Sequence, residues 1–520
     1  MIKRLTTGRR SLIIICTILF LTFLDNTVVS VVLSNIQTNL SAGVQDLQWI
    51  VNAYMLVFAV LMLTGGTLGD ILGRKKVLLA GVALFVTGSL VAMLSNSIGM
   101  LIAGRVIMGI GAAASEPGTL SMIRHLYPDK AKRSRALGVW AAVSGIALAF
   151  GPIIGGIIIG FTNWRGVFAF SAIFGVLAFI AGLLVLPESS SSTGQKLDIT
   201  GLVLGAMALS ELIFAVISGE NNGYSTWWIV LLFVLSFVTS VAFIYFERRK
   251  DNPVLPLQFF RKTQFSVANI VAFVTNFGIF AVFFFVALYL QLISNFSGYQ
   301  IALSFIAMAA SIVAGAILAG RWYINHQTIM LTIAGCLISG AGIFIINSIL
   351  SPTVSSNTLA WALAISGFGF GISLVTMTSS VLNIVPPERS GMAASTVNSF
   401  RELGGVFGVA VLGSIVNGQL SNQLLGQLRA LHLPANFQSF VIYAITHGGN
   451  TPKGVSVSPA VLATHAQLIN QVSQAADNAF GNGLTIALNI AGTMLLVVGV
   501  ACYIVYLTRK RDFSDSQAVI

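Results

Sequence analysis

The chain has 520 residues, of which 56% are hydrophobic and only 8% are charged, whereas an average soluble domain has about 25% charged residues. This composition excludes a soluble globular protein and indicates a polytopic membrane protein. The formal net charge of +12 would suit a nucleic-acid-binding protein, but the basic residues lie at helix ends and in short links, which argues against nucleic acid as a partner.

Apolar runs of about 20 residues, each long enough to cross a bilayer as a helix, recur along the chain between short polar links. They predict an all-α polytopic protein with fourteen transmembrane helices. Because this number is even, both termini are expected on the same side of the membrane. The runs cover residues 11–33, 47–69, 77–95, 101–122, 136–160, 167–186, 198–218, 226–246, 265–290, 299–320, 328–350, 358–383, 391–417 and 484–507.

The positions of the basic residues predict how the helices are oriented in the membrane. If the runs alternate in direction, all but five of the 28 Lys and Arg fall on one side, which the positive-inside rule assigns to the cytoplasm. The N-terminal segment and the tail 509–511 lie on this side, so both termini are expected to be cytoplasmic. The five exceptions are Arg105, Arg165, Arg401, Arg429 and Lys453.

Polar interruptions suggest how the chain is divided. A Ser-rich link follows Pro187, so residues 1–187 are expected to form an N-terminal six-helix bundle. Residues 188–259 would hold cytoplasmic linkers and a two-helix insert, and residues 260–520 a C-terminal six-helix bundle. Within the last part, residues 418–483 form a long polar loop that is expected outside, where a short helical hairpin would cap the outer mouth.

Asp25 lies well inside the first apolar run. A carboxylate there costs about 2.5–3.5 kcal/mol on insertion scales, so it normally faces the interior of a helix bundle or a wet cavity. Since a carboxyl group can hold a proton or pair with a cation, Asp25 is predicted to couple proton movement to transport. A structural hydrogen bond to a neighbouring helix is the alternative.

Other charges also fall within the predicted helices. Arg105 and Glu116 are eleven residues apart, or three helical turns, which places them on one helix face where they could share a water chain. Glu116 is therefore predicted to be a second proton or cation site. Structural roles are expected for the remaining intramembrane charges, which are Glu211, Arg401 and Glu402.

Two glycine-containing segments are expected to control helix movement. Between the second and third helices, Gly69 and Gly73 would let the backbones close up, and Asp70 would pair with Arg74 in a clasp on the cytoplasmic side. In the fifth helix, small residues permit close packing and a proline removes a backbone hydrogen bond. These features predict a seam on which two halves rock, at Gly151, Pro152, Gly155 and Gly156.

These segments resemble the fourteen-helix drug/proton antiporter family of the major facilitator superfamily, the multidrug efflux proteins. Residues 65–78 resemble its motif A, residues 101–111 its motif B, and residues 151–156 its antiporter motif C, with Gly138 upstream and Ala147 in place of one glycine. Residues 24–29 resemble the first-helix motif. The second half is similar mainly at residues 399–408, so the resemblance is carried by the first half.

The resemblance implies a major facilitator fold of 6 + 2 + 6 helices. It also implies a proton-coupled antiporter that exports hydrophobic or cationic drugs across the plasma membrane by alternating access, with the motif B residue Arg105 implicated in proton transfer. The proton gradient would replace a cofactor, no metal is expected, and the protein would act as a monomer. The substrate contacts predicted beside Glu116 are Asn26, Phe277, Phe280 and Phe284.

An enzyme is not expected, because the chain has no phosphate-binding Gly-Lys-Ser/Thr loop. Three other functions stay open at this point. The first is an exporter of lipids, glycolipids or other amphipathic metabolites on the same scaffold. The second is an uptake carrier, against which the motif C resemblance argues. The third is a receptor or scaffold that transports nothing.

Overall fold

A computed structural model of the chain describes residues 2–42, 44–189, 198–250, 255, 257–294, 296, 298–322, 328–430 and 466–517. Throughout these ranges the regular structure is helical. The α-helices are α1 (Ile2–Leu40), α2 (Val44–Leu72), α3 (Arg74–Met93), α4 (Ile98–Leu126), α5 (Lys130–Phe161), α6 (Arg165–Val185), α7 (Ile199–Asn222), α8 (Trp227–Glu247), α9 (Thr263–Ala281), α10 (Ala287–Leu292), α11 (Gly298–Trp322), α12 (Thr328–Ile349), α13 (Ser356–Ile384), α14 (Ser390–Ala430) and α15 (Ala466–Gln517).

Three short elements complete this set. A π-helical turn over Val282–Val286 joins α9 to α10, and 3₁₀ turns over Leu257–Arg261 and Pro387–Arg389 precede α9 and α14. Because α10 continues α9 through the π turn, the two together cover the predicted run 265–290.

The predicted all-α polytopic fold is confirmed. Among the described residues, thirteen helices are long and apolar enough to cross a membrane. The predicted run 136–160 lies within α5, a helix of 32 residues that is not one of these thirteen. A total of fourteen spans and a cytoplasmic position for both termini stay predictions.

Polar side chains at the starts of several helices satisfy backbone N–H groups that have no partner within the helix. Ser97 accepts a hydrogen bond from the N–H of Met100 at 3.3 Å, and Asp129 accepts one from Lys132 at 2.9 Å. Both residues precede an apolar helix, α4 and α5 respectively. Such capping groups define where helices begin, and they keep the short links between consecutive spans tight.

Glycines allow the close contact between α3 and α4. A Cβ atom at Gly81 would lie 2.6 Å from the carbonyl oxygen of Gly111, and one at Gly88 would lie 2.7 Å from that of Gly104. No side chain fits at these distances, so the two backbones touch directly. Close approach of this kind is the usual way in which helices associate in lipid, where the hydrophobic effect does not drive them together.

The helices pack in two groups, here called the first half (α1–α6) and the second half (α9–α15). Helix α1 lies against α5, and α2 and α3 lie against α4, whereas α11 and α12 both pack on α13. The halves meet where α2 contacts α14 and where α5 contacts α11. The domain boundaries at residues 187 and 259 stay predictions.

The predicted insert helices α7 and α8 pack against each other. Helix α7 also contacts α2 of the first half and α14 of the second. The rings of Trp49 and Phe214 are 5.4 Å apart, and the Tyr224 hydroxyl donates to the carbonyl oxygen of Ala410 at 3.4 Å. Helix α8 exposes large apolar side chains such as Phe237. The pair therefore lies outside the junction of the two halves, with an apolar surface towards the bilayer.

The ends of the predicted external segment 418–483 are helical where they are described. Residues 418–430 continue α14 and residues 466–483 belong to α15, rather than forming separate short helices. The Asn482 side chain donates to the side-chain oxygen of Gln423 at 3.1 Å, which joins the two extensions. Residues 431–465 lie outside the described residues, so the predicted cap stays a prediction.

Candidate functional site

Asp25 and Arg105 form an ion pair inside the first half. The Arg105 Nη1 group donates to Asp25 Oδ2, and both side chains are at least 99% buried. Asp25 is on α1 and Arg105 is on α4, so the pair connects two helices that are distant in sequence. Oδ1 of Asp25 accepts no hydrogen bond from the described residues. The predicted proton-coupling carboxylate therefore faces the interior of the bundle and is paired with a cation.

Two residues of α2 hold the Arg105 guanidinium in place. Its Nε donates to the carbonyl oxygen of Ile50 at 2.9 Å, and its Cζ lies 4.4 Å from the centre of the Tyr54 ring. The Tyr54 hydroxyl in turn donates to the carbonyl oxygen of Thr22 on α1 at 3.2 Å. Since these contacts come from α1, α2 and α4, the guanidinium links three helices of the first half.

Glu116 pairs with Arg401, a residue for which a structural role is predicted. Its Oε1 atom is 3.9 Å from Nη1 of Arg401, which lies on α14 in the second half. Arg105 and Glu116 each pair with a residue of a different helix in this structure, and the predicted water chain between them stays a prediction. Glu116 is completely buried, and neither of its oxygens accepts a hydrogen bond from the described residues.

A small cavity lies between the two halves beside these charges. Its volume of about 10 Å³ accommodates on the order of one water molecule, whereas drug-sized ligands occupy pockets of roughly 300–1,000 Å³. The helices must therefore separate before a drug-sized molecule can enter. The polar and aromatic residues that line the cavity include Phe23, Asn26, Ser144, Asn276, Phe280, Arg401 and Glu402.

Of the three predicted cavity phenylalanines, Phe280 lies at the cavity. Phe277 is buried between α9 and α14, where its backbone would contact any Cβ placed at Gly408. Phe284 follows the start of the π turn and is 49% exposed on the outer surface. The predictions for Phe277 and Phe284 are therefore not supported by their positions. The predicted contact Asn26 lines the cavity, and its side-chain oxygen has no hydrogen-bond partner among the described residues.

The predicted clasp between Asp70 and Arg74 is present and extends to the second half. Arg74 donates to Asp70 Oδ1 from Nε at 3.2 Å and from Nη2 at 3.0 Å. Its Nη2 also donates to the carbonyl oxygen of Pro387 at 2.8 Å, and Asp70 Oδ2 accepts from the N–H of Met392 at 3.0 Å. The clasp thus holds α2 to the start of α14.

The glycines near this clasp have different roles from those predicted. Gly73 has a φ of +112°, a backbone conformation that disfavours a side chain, and it makes the turn between α2 and α3. A Cβ at Gly69 would meet no atom within 4 Å, so Gly69 provides no close packing. The close approach is instead at Gly66, where a Cβ would overlap the carbonyl oxygen of Gly391.

The glycines of the predicted seam in α5 differ in what they contact. A Cβ at Gly151 would overlap Thr27 of α1 within the first half, and one at Gly156 would meet no atom within 4 Å. Gly155 is buried, and the side chain of Pro152 lies outside the described residues. The contact of α5 with the second half is made at Gly138 and Gly145, where a Cβ would lie 2.9 Å from Ala316 O and 2.6 Å from Ile312 Cγ2.

Two further arginines join the halves at the same end as the clasp. Arg124 donates to the carbonyl oxygen of Val385 at 2.6 Å, and Arg133 donates to the side chain of Asn383. The Ser134 hydroxyl donates to the carbonyl oxygen of Gly320 at 3.0 Å. In the sequence, these arginines serve only as topology signals, and nothing in their spacing reveals their partners. In the part of the chain that is described, no group of three His, Cys, Asp or Glu could hold a metal ion.

The fold and this site define a class of protein. A bundle of membrane-spanning helices in two halves, with buried charges around a cavity at their junction, is the architecture of a multi-pass membrane transporter. The chain belongs to the Major Facilitator Superfamily, whose sequence profile matches residues 15–409. The predicted resemblance to this superfamily is thereby confirmed, and the chain is a transporter rather than an enzyme.

Two relatives illustrate the similarity in sequence. The multidrug resistance protein Stp of Mycobacterium tuberculosis is 30% identical over 486 residues, which are 93% of this chain and 89% of that protein. The methylenomycin A resistance protein of Bacillus subtilis is 30% identical over 412 residues, which are 79% of this chain and 88% of that protein.

Solved structures show the same fold at low sequence identity. The human organic anion transporter MFSD10 (TETRAN) matches with a TM-score of 0.60 and 17% identity, over 78% of this chain and 93% of that chain. The proton:xylose symporter XylE matches with a TM-score of 0.59 and 14% identity, over 96% of this chain and 95% of that chain. At such identities the similarity is one of fold alone.

Proposed function

We propose that the protein is a proton-coupled antiporter that exports cationic or amphipathic drugs across the plasma membrane by alternating access. The names of the two relatives, a multidrug and an antibiotic resistance protein, support export of drugs. The observation that carries proton coupling is the buried pair of Asp25 and Arg105. This pair links α1 to α4, and α1 also supplies Phe23 and Asn26 to the cavity.

In the proposed mechanism, the charge state of Asp25 controls how tightly α1 is held. While Asp25 is ionised, Arg105 pairs with it and α1 stays bound to α4. When Asp25 takes up a proton, the buried guanidinium loses its counter-charge, which is strongly unfavourable in a dry interior. Helix α1 then shifts relative to α4, and Phe23 and Asn26 move with it. Proton binding thereby changes the shape of the substrate cavity.

The clasp at the other end of α2 gates the cytoplasmic side in this proposal. Asp70 and Arg74 hold the halves together at the start of α14, next to Arg124 and Arg133. Breaking these contacts opens the cavity inward, and remaking them closes it before the outer side opens. No cofactor is needed in this cycle, since the proton gradient supplies the energy, and a single chain contains both halves.

The test is proton-driven uptake of ethidium into inside-out vesicles, or its efflux from whole cells, with Asp25→Asn in place of the parent. The amide cannot ionise, so we expect efflux to fall by about tenfold or more, equivalent to about 1.4 kcal/mol in coupling, while exchange of ethidium down its own gradient continues. Glu211→Gln, which removes an acid from the insert helix α7, should transport like the parent. Parental rates of proton-driven efflux in Asp25→Asn would overturn the role proposed for this residue.

A second candidate function, export of lipids or other amphipathic metabolites, is favoured by an apolar groove. The groove lies between α1, α5 and α6 on the outside of the bundle and has a volume of about 480 Å³, a size that holds a drug or part of an acyl chain. Vesicle assays with a fluorescent lipid and with ethidium separate the two functions, because a lipid exporter would move the first and ignore the second. The groove is lined by residues such as Leu12, Ile13, Phe20, Val139, Val143 and Phe170.

The orientation is part of the same proposal. The basic segments 74–76 and 124–135 lie at the end of the bundle where Arg74 and Arg124 reach Pro387 and Val385. Since basic links favour the cytoplasm, this end and both termini are assigned to the cytoplasmic side. A reporter enzyme that is active only outside the cell, fused after residue 520, should remain inactive, and its activity would contradict the assignment.

A further inference from the structure

The Arg401 side chain extends from the second half into the first half. It lies on α14, yet its guanidinium is surrounded by side chains of α1, α4 and α5. Its Cζ lies 5.3 Å from the centre of the Phe23 ring and 5.5 Å from that of Trp140. Its Nη1 is 3.9 Å from Oε1 of Glu116. The side chain is 98% buried, so a full positive charge is held between two aromatic rings and a carboxylate of the opposite half.

The groups of the first half are fixed independently of Arg401. The indole N–H of Trp140 donates to the Thr119 hydroxyl at 3.0 Å, and that hydroxyl donates to the backbone carbonyl oxygen of Glu116 at 2.6 Å. Phe23 meets Trp140 edge to face, with 6.4 Å between ring centres. The two aromatic rings, and the backbone of Glu116 next to them, are therefore held in one arrangement by contacts within their own half.

The contacts that Arg401 makes with this arrangement are loose. The distance of 3.9 Å to Glu116 is longer than a hydrogen bond. Among the described residues, the two carboxylate oxygens of Glu116 have no hydrogen-bond partner, and the Nε of Arg401 has none either. Within the described part of the chain, the guanidinium makes its side-chain hydrogen bond to Asn398 Oδ1 on its own helix, at 3.1 Å. A permanent structural ion pair at full burial would need closer and more complete bonding to offset the loss of solvation.

Aromatic faces next to a carboxylate are the chemistry that proteins use to bind organic cations. Phe23 and Arg401 also line the cavity between the halves, so the site opens into the space where a substrate would arrive. We infer that Phe23, Trp140 and Glu116 form the binding site for the cationic group of a lipophilic cation, and that Arg401 occupies this site when no substrate is bound.

This inference rests on the proposed export of cationic drugs. It adds where the cation binds and which residue of the protein competes with it for that site. When the halves separate, Arg401 leaves with α14 and the site becomes free. A lipophilic cation with a delocalised or quaternary charge then replaces the guanidinium between the rings, with Glu116 as its counter-charge. When the cation has left, Arg401 returns and the halves close with Glu116 paired again. Glu402 also lines the cavity and so lies close to the site where the cation and Arg401 replace each other.

The experiment measures equilibrium binding of tetraphenylphosphonium to the purified full chain in detergent without a proton gradient. Triphenylphosphine oxide, which has a similar apolar volume and no net charge, is the uncharged comparison probe. We expect Glu116→Gln and Trp140→Leu each to weaken tetraphenylphosphonium binding by about tenfold, and Arg401→Gln to strengthen it by about as much because the competing cation is gone. Binding of triphenylphosphine oxide should change little in any of these variants.

Matched variants separate a binding role from a structural one. Trp140→Phe keeps a ring and should bind tetraphenylphosphonium nearly as the parent does, and Arg401→Lys keeps a cation and should not strengthen binding. Glu211→Gln removes a different intramembrane acid and should have no effect. If Arg401→Gln does not fold, Glu116→Gln and the two Trp140 variants still test the site.

The inference is overturned if Arg401→Gln folds and binds tetraphenylphosphonium no more tightly than the parent, or if Glu116→Gln and Trp140→Leu bind it normally. It is also overturned if no variant binds the cation at all. Loss of proton-driven efflux in Asp25→Asn is measured separately and needs a gradient. A failed cation site with intact proton-driven efflux of ethidium would therefore leave the proposed function in place.

Discussion

At the scale of single residues, the buried arginines differ in the groups with which they pair. Arg105 is held within the first half, by Asp25 and the Tyr54 ring. Arg401 reaches from the second half to Glu116, and Arg74 joins Asp70 to the start of α14. Each buried cation costs solvation free energy that only a nearby acid, carbonyl group or aromatic ring can offset. The identity of that partner therefore decides what the residue does.

The contribution of Tyr54 to holding Arg105 can be measured directly. Tyr54→Phe keeps the ring and loses one hydrogen bond, so the free energy of unfolding should fall by about 1 kcal/mol. Tyr54→Leu also loses the stacking on the buried guanidinium, which adds about 2 kcal/mol to the loss. Unfolding in mixed detergent micelles measures both values.

Efflux should follow the same order, with Tyr54→Phe close to the parent and Tyr54→Leu strongly reduced, because Arg105 is then free to turn away from Asp25. Equal losses of stability in the two variants would mean that the ring does not hold the guanidinium.

At the scale of elements, α5 shows that glycines in one motif have unequal importance. Gly151 lets α1 pack on α5, whereas Gly156 faces open space. The contact of α5 with the second half depends on Gly138 and Gly145, which lie towards the start of the helix. The rotation of the helix about its own axis decides which glycine meets a neighbour, and two glycines five residues apart point in different directions.

This difference predicts opposite outcomes for two similar substitutions. Gly151→Ala places a methyl group against Thr27, and overpacking of this kind costs about 1–3 kcal/mol. Gly156→Ala meets nothing and should leave the melting temperature unchanged or raise it slightly, since alanine favours a helix. Thermal melting of both variants in the same detergent tests this. A melting temperature for Gly151→Ala equal to that for Gly156→Ala would contradict the packing described for α5.

At the scale of the whole molecule, the structure is closed at the end that carries the basic links. Arg74, Arg124 and Arg133 each reach across to residues 383–387 of the second half. Asp70 accepts from the backbone N–H of Met392 at the first turn of α14, where the helix dipole favours a negative charge. Because several bonds act together across one junction, the cavity is sealed from this side.

Loss of the clasp should open the cavity to this side. A cysteine placed at Ser144, which lines the cavity, reports access of a charged thiol reagent applied at the face that carries the basic links. With Asp70→Ala in the same chain, labelling should become about fivefold faster, which corresponds to about 1 kcal/mol less stability of the closed state.

Lys76→Ala is the matched control, because Lys76 lies in the first turn of α3, close to the clasp, and is exposed, and its labelling should equal that of the parent. The chain without the Ser144 substitution gives the background, since Cys16, Cys336 and Cys502 are buried. Unchanged labelling with Asp70→Ala would remove the clasp from the gating mechanism.

The helical, membrane-spanning class of the protein follows from the amino-acid sequence, because the length and polarity of each apolar run depend only on neighbouring residues. The sequence also identifies the superfamily, through segments such as residues 65–78, and the acid at Asp25. The tertiary structure alone decided which charges meet, since Asp25 and Arg105 are 80 residues apart and Arg401 lies on the opposite half from Glu116. A local sequence pattern determines neither how a helix is rotated about its axis nor which helix it packs against. Both are needed to place Arg401 between Phe23 and Trp140.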